Sequence, residues 1–157
     1  MSSLTYLIEQ YICNRERFDC RNVYMALMRY AERLAASGHD LPVIGEILAD
    51  VDVFTTEERS LELIKGLDIA GRYGTGDIDD ELWYKVALDE YRSGILGPAC
   101  DTLYYYPRFA EMAAFPYTIE YSHITDGYYT REKNEDGTYV MGYEALESFC
   151  EEFLGAL

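Results

Sequence analysis

The sequence predicts an α+β protein that is mainly α, with about five to seven helices, a small antiparallel β-hairpin near the C-terminus and a final helix. Three observations lead to this prediction. Apolar residues recur at helical spacing over most of residues 1–115, the segment 117–141 alternates apolar and polar residues around a turn, and helical spacing returns at Tyr143. At 157 residues the chain is expected to form a single domain, 1–157, with a helical part (1–115) and a C-terminal part (116–157).

The first two helices have clear boundaries. Helix one is expected over 3–13, where Leu4 and Leu7 begin an apolar stripe. Helix two begins after Asp19, a favourable N-cap residue, and ends before Gly38, because glycine readily takes the left-handed conformation that follows many helices.

Two more helices are expected before residue 75. Pro42 suits the first turn of the third helix, since proline lacks the N–H that is unsatisfied there anyway. Its buried side is predicted to consist of Val43, Ile44, Ile47, Leu48 and Val51. The fourth helix opens with a capping box, in which Thr55 and Glu58 satisfy each other's backbone donors, and it is expected to continue to Gly74.

A central helix is expected over Asp77–Ile95. It contains the single tryptophan, Trp83, in an apolar run with acids on both sides, and Asp77 is the predicted N-cap. Further on, Pro107 is expected to break or kink the helical segment Cys100–Ala114.

The C-terminal part combines the predicted hairpin with a helix. Tyr117–Ile124 alternates like a strand, and Tyr128–Lys133 and Thr138–Met141 flank a turn at Asn134–Gly137. The last helix is expected over Tyr143–Leu154, with its apolar stripe facing inward.

Charge is the strongest functional signal. The net charge is −16, and residues 38–157 contain eight basic and 25 acidic residues. Such a field repels nucleic acid and anionic membranes and attracts basic protein surfaces. The alternative is that the acidity only keeps the protein in solution.

Partner-binding residues are expected where carboxylates concentrate and where tyrosines cannot all turn inward. The three glutamates of the last helix lie opposite its apolar stripe, repel one another and are disfavoured by the helix dipole, so no structural benefit explains them. Consecutive tyrosines on a helix must place some phenols at the surface. The predicted partner-binding residues are Asp50, Asp52, Glu57, Glu58, Asp79, Asp80, Glu81, Glu147, Glu151, Glu152, Tyr104 and Tyr105.

No catalytic, cofactor-binding or metal-binding motif is recognisable. The four cysteines show no CxxC and no zinc spacing, which favours buried free thiols in a cytoplasmic protein. The acids around Asp79 lack the EF-hand pattern. The longest run without a charged residue is eight residues, too short for a transmembrane helix. The N-terminus has no basic region before its apolar residues, so a secretory signal is not expected.

The leading hypothesis is a non-enzymatic protein that binds a basic surface of another protein, with no direct contact to nucleic acid or membrane. Its sharpest form is a nucleic-acid-mimicking inhibitor of a DNA- or RNA-binding enzyme, such as a restriction or CRISPR nuclease. An alternative is an adaptor or immunity-type protein that blocks a basic toxin or enzyme without mimicry. A further alternative is a small enzyme that pairs His123 with a cysteine or a carboxylate. The sequence leaves the partner's identity and the oligomeric state open.

Overall fold

The structure is a computed structural model that describes residues 3–13, 20–116, 119, 135–137 and 143–157. The helices of these residues are α1 (Leu4–Cys13), α2 (Cys20–Ala36), α3 (Pro42–Asp50), α4 (Glu57–Gly66), α5 (Ile69–Arg72), α6 (Asp80–Arg92), α7 (Ala99–Tyr105), α8 (Pro107–Met112) and α9 (Tyr143–Gly155).

The predicted α+β class is wrong, because the described residues form helices, turns and loops but no β-strand. The segments Tyr117–Ile124, Tyr128–Lys133 and Thr138–Met141, predicted as strands, lie outside the described residues except for Ile119, which is not in a strand. Glu135–Gly137 forms a turn. Alternation over a short run is a weak signal, since a two-stranded hairpin is stable only when further strands or a helix cover it.

The chain folds as two compact units, Met1–Val86 and Ala87–Leu157, with the boundary inside α6. The prediction of a single domain with a helical part (1–115) and a C-terminal part (116–157) stays a prediction. Within the described residues, no helix is both long enough and apolar enough to span a membrane.

The first unit is built on α2, which packs against α1, α3 and α4. Leu7, Leu27 and Ile47 are fully buried side chains of its core. The end of α2 is as predicted: Gly38 has a φ of 80° and the N–H of His39 donates to the carbonyl of Leu34 at 3.0 Å.

The fourth helix is shorter than predicted and begins one residue later. Its N-cap is Thr56 rather than Thr55, and the Thr56 hydroxyl accepts the backbone N–H of Arg59 at 3.2 Å. The helix ends at Gly66, and Asp68 adopts a left-handed φ of 51° before the separate α5 begins. Apolar periodicity continues through this break, so the sequence pattern did not reveal it.

The central helix is confirmed, with different boundaries. It starts at Asp80 rather than at Asp77, because the Asp79 side chain accepts the N–H of Leu82 at 3.0 Å and thereby caps the first turn. Asp77 instead accepts the N–H of its neighbour Ile78. Trp83 has an exposed fraction of 0%, which confirms its predicted place in the core.

The second unit packs α7 against α8 and α9. Pro107 separates α7 from α8, as predicted. The ring of Phe115 lies 5.8 Å from that of Phe149 and 5.1 Å from that of Phe153, measured between centroids. These aromatic contacts hold the segment after α8 on the apolar side of α9.

Candidate functional site

The connection between α3 and α4 is a tight turn fixed by its own side chains. The Asp52 carboxylate accepts the N–H of Phe54 at 2.8 Å, and the Thr55 hydroxyl accepts the N–H of Asp52 at 2.9 Å. The N–H of Thr55 in turn donates to the carbonyl of Asp52 at 3.1 Å. These three bonds satisfy most of the turn's backbone donors and hold it in one conformation.

Acidic side chains surround this turn. Asp50, Asp52, Glu57 and Glu58 are all exposed, and we call them, together with the residues between them, the α3–α4 surface. Glu57 and Glu58 lie in the first turn of α4, where the helix dipole favours acids. Asp50 is the last residue of α3, where the dipole disfavours an acid.

The base nearest in sequence to these acids is engaged elsewhere. Arg59 forms ion pairs with Glu46 and with Glu62, each at 3.2 Å. The hydrogen bond to Glu62 and the charge of Glu46 raise the pKa of Arg59 above its ordinary value. Within the described part of the chain, no ion pair or hydrogen bond neutralises the carboxylates of Asp50, Glu57 and Glu58. The α3–α4 surface therefore keeps its negative charge.

Exposed apolar side chains lie on the same connection. Phe54 is 87% exposed and Val53 is 41% exposed. Leu48, predicted to be buried, is 39% exposed and that prediction is wrong, because the α3 core is complete with Val43, Ile44 and Ile47. Sequence reasoning missed Phe54, because it follows Ile47 at i+7 and Val51 at i+3, the spacing of the predicted apolar stripe of α3.

The acids at the start of α6 are exposed but already have structural roles. Asp79 caps the helix, and Asp80 and Glu81 lie in its first turn. Glu81 also pairs with Lys85 at 2.7 Å, the i, i+4 arrangement that stabilises helices. Their part in partner binding stays a prediction. Helix capping and ion pairing also explain why acids occur at these positions.

Glu147 departs from the prediction that the α9 acids bring no structural benefit. Its side chain is half-buried, and its two oxygens accept the backbone N–H groups of Ala99 at 2.7 Å and Cys100 at 2.8 Å. It therefore caps α7, a helix whose preceding residue, Pro98, provides no side-chain cap. For Glu147 the argument from a missing structural benefit is wrong.

The other predicted residues of the second unit are more exposed. Glu151 and Glu152 are exposed on α9. Burial, followed by the charge of Glu151, raises the pKa of the Tyr91 phenol. Tyr105 is 59% exposed, whereas Tyr104 is half-buried with its ring edge-on to that of Tyr105 at 4.9 Å.

The two buried thiols, Cys100 and Cys150, are poorly placed for nucleophilic chemistry. Cys100 and Cys150 are free and fully buried, as predicted, whereas Cys13 is free but exposed. A hydrogen bond with Cys100, together with burial, strongly raises the pKa of Cys150, so its thiol stays protonated at neutral pH. His123 lies outside the described residues. Among the residues that the structure describes, no cluster of three or more His, Cys, Asp or Glu side chains could hold a metal ion.

The predicted residues thus divide between the units. The acids of the α3–α4 surface and of the α6 start belong to Met1–Val86, and Tyr104, Tyr105 and the α9 acids belong to Ala87–Leu157. On the α3–α4 surface, exposed acids occur together with Phe54, which is 87% exposed. A comparison of the chain with protein-family models, curated proteins and solved structures finds no match.

Proposed function

We propose that this is an acidic, non-enzymatic protein of the cytoplasm that binds a basic surface of another protein through its α3–α4 surface. The observation that carries the proposal is the exposure of Asp50, Glu57 and Glu58 without a neutralising cation among the described residues. Exposed charges of one sign steer a partner of the opposite sign and raise its association rate.

In the sharper form of the proposal, the protein imitates nucleic acid and inhibits a DNA- or RNA-binding enzyme, such as a restriction or CRISPR nuclease. The net charge of −16 supports this form. Carboxylates on rigid helices can take the place of phosphates in a groove lined by lysine and arginine, because those side chains recognise both groups. The same charge argues against direct binding to nucleic acid.

In the second form, the protein blocks a basic toxin or enzyme as an adaptor or immunity-type protein, without mimicry. The exposure of Phe54 favours this form. An apolar ring beside carboxylates has no counterpart in a phosphate backbone, whereas aromatic anchors within polar rims are common at protein interfaces.

Two buried thiols support the cytoplasmic location and the non-enzymatic role in the proposal. Cys100 and Cys150 are free and buried, and we expect such thiols to persist in a reducing compartment such as the cytoplasm. Their burial favours a structural role over catalysis.

The proposal is tested by capturing basic proteins from the source cells and measuring their association with two variants of equal charge change. Asp50→Lys alters the α3–α4 surface, and Glu111→Lys alters an exposed acid of α8 as the control. We expect Asp50→Lys to slow association severalfold and Glu111→Lys to leave it unchanged. Equal effects of both variants would contradict the assignment. Duplex DNA or RNA should displace the protein from its captured partner if the protein imitates nucleic acid. It should not displace it if the protein blocks a basic surface without mimicry.

A further inference from the structure

Phe54 has an unusual position for a large apolar side chain. It is 87% exposed, while Leu48 on α3 and the neighbouring Val53 are about 40% exposed. A phenyl ring in water costs free energy that burial at an interface would recover.

The turn does not require this ring. The bond that involves Phe54 uses its backbone N–H, which donates to Asp52, and any residue except proline could supply that donor. Serine or asparagine would form the same turn and be better solvated. A locally unfavourable residue that contributes nothing to the fold indicates a role in recognition.

The geometry points to Phe54 as an anchor, and we infer that it inserts into an apolar pocket, bordered by lysine and arginine, on a partner protein. This inference rests on the proposed function and specifies the partner's surface. The charge of this surface favours a basic partner: Asp50 and Glu58, exposed four residues before and after Phe54, repel a second copy of the chain and attract a basic rim. Because the turn is already held by hydrogen bonds, binding orders little further backbone.

The test uses two labelled synthetic peptides whose binding is followed by fluorescence anisotropy. One is an amphipathic helix of leucine and arginine, and the other replaces every leucine with serine and keeps every arginine. The protein variants are Phe54→Ser, Phe54→Leu and the control Met112→Ser, which removes an exposed apolar side chain from the other unit. Thermal melts should coincide with wild type for Phe54→Ser, since its side chain makes little contact with the fold.

We expect wild type to bind the leucine peptide more tightly than the serine peptide, with about a tenfold loss for Phe54→Ser. Phe54→Leu should retain most of the affinity, and Met112→Ser should retain all of it. Equal binding of both peptides, unaffected by Phe54→Ser, would overturn the anchor but leave the acidic binding function standing. Absence of binding to either peptide would overturn both. Sedimentation that changes from dimer to monomer in Phe54→Ser would assign the ring to a second copy and also overturn the inference.

Discussion

The carboxylate of Glu147 on α9 accepts the backbone N–H of Cys100 on α7 at 2.8 Å, while its second oxygen accepts the N–H of Ala99 at 2.7 Å. A residue distant in sequence thus satisfies two of the donors that every helix leaves free at its N-terminus. The arrangement ties α9 to α7 and converts an apparent surface acid into part of the fold.

Loss of this cap should destabilise the protein. Glu147→Ala is expected to lower the free energy of unfolding by about 2–3 kcal/mol, since hydrogen bonds to a charged group contribute more than neutral ones. Glu147→Gln should cost less, because the amide keeps one acceptor oxygen. Urea denaturation measures both, with exposed Glu151→Ala as the control, expected within about 0.5 kcal/mol of wild type. A similar midpoint for Glu147→Ala and Glu151→Ala would contradict the capping role.

The exposed acids at the end of α9 should behave differently. Glu151 and Glu152 lie near the C-terminus of the helix, where the dipole disfavours negative charge. The double variant Glu151→Lys/Glu152→Lys is therefore expected to melt at the same temperature as wild type or slightly above it. Binding of the captured partner should weaken if these acids belong to the interface. Unchanged affinity would leave the α3–α4 surface as the contact.

The acid in the first turn of α7 provides a pH-dependent prediction. Burial, and then the charge of Glu147, raises the pKa of Asp101 above its usual 3.8. The folded protein therefore binds this proton more tightly than the unfolded chain, so its contribution to stability is lost as pH rises through the raised pKa. Asparagine does not titrate. The stability of Asp101→Asn relative to wild type should therefore increase between about pH 3 and pH 7, as measured by urea denaturation at several pH values. A constant difference across this range would exclude the raised pKa.

The central helix depends on its tryptophan. Trp83 has an exposed fraction of 0%, and Trp83→Ala is expected to cost about 3–5 kcal/mol, the usual range for a large buried aromatic. The shift in thermal midpoint measures it. A midpoint within a degree or two of wild type would show that the ring is not part of the core.

Local signals in the sequence predicted much of the helical fold. Gly38, Pro42 and Pro107 mark real helix boundaries because their effects depend on backbone geometry within one turn. The predicted N-caps of α4 and α6 were wrong by one and two residues. Neighbouring Thr and Asp residues offer equivalent acceptors, and packing selects among them. The hairpin prediction was wrong because alternation does not show what would cover a strand.

The candidate site was only partly predictable. The acids of the α3–α4 surface were recognisable from composition along the chain. The role of Glu147 depends on contacts across 47 and 48 residues, which no local pattern contains. The exposure of Phe54 depends on a core that is complete without it, and an apolar residue alone does not reveal that.

The most direct test of the central claim is the association rate of a captured basic protein with wild type and with Asp50→Lys, measured over a range of salt concentrations. Exposed charges are screened within about 8 Å at physiological ionic strength. The α3–α4 surface as a steering site predicts that the wild-type rate falls steeply with salt, that Asp50→Lys is slower at low salt, and that the two rates converge at high salt. A wild-type rate that does not change with salt, or an Asp50→Lys rate equal to it throughout, would contradict binding through this acidic surface.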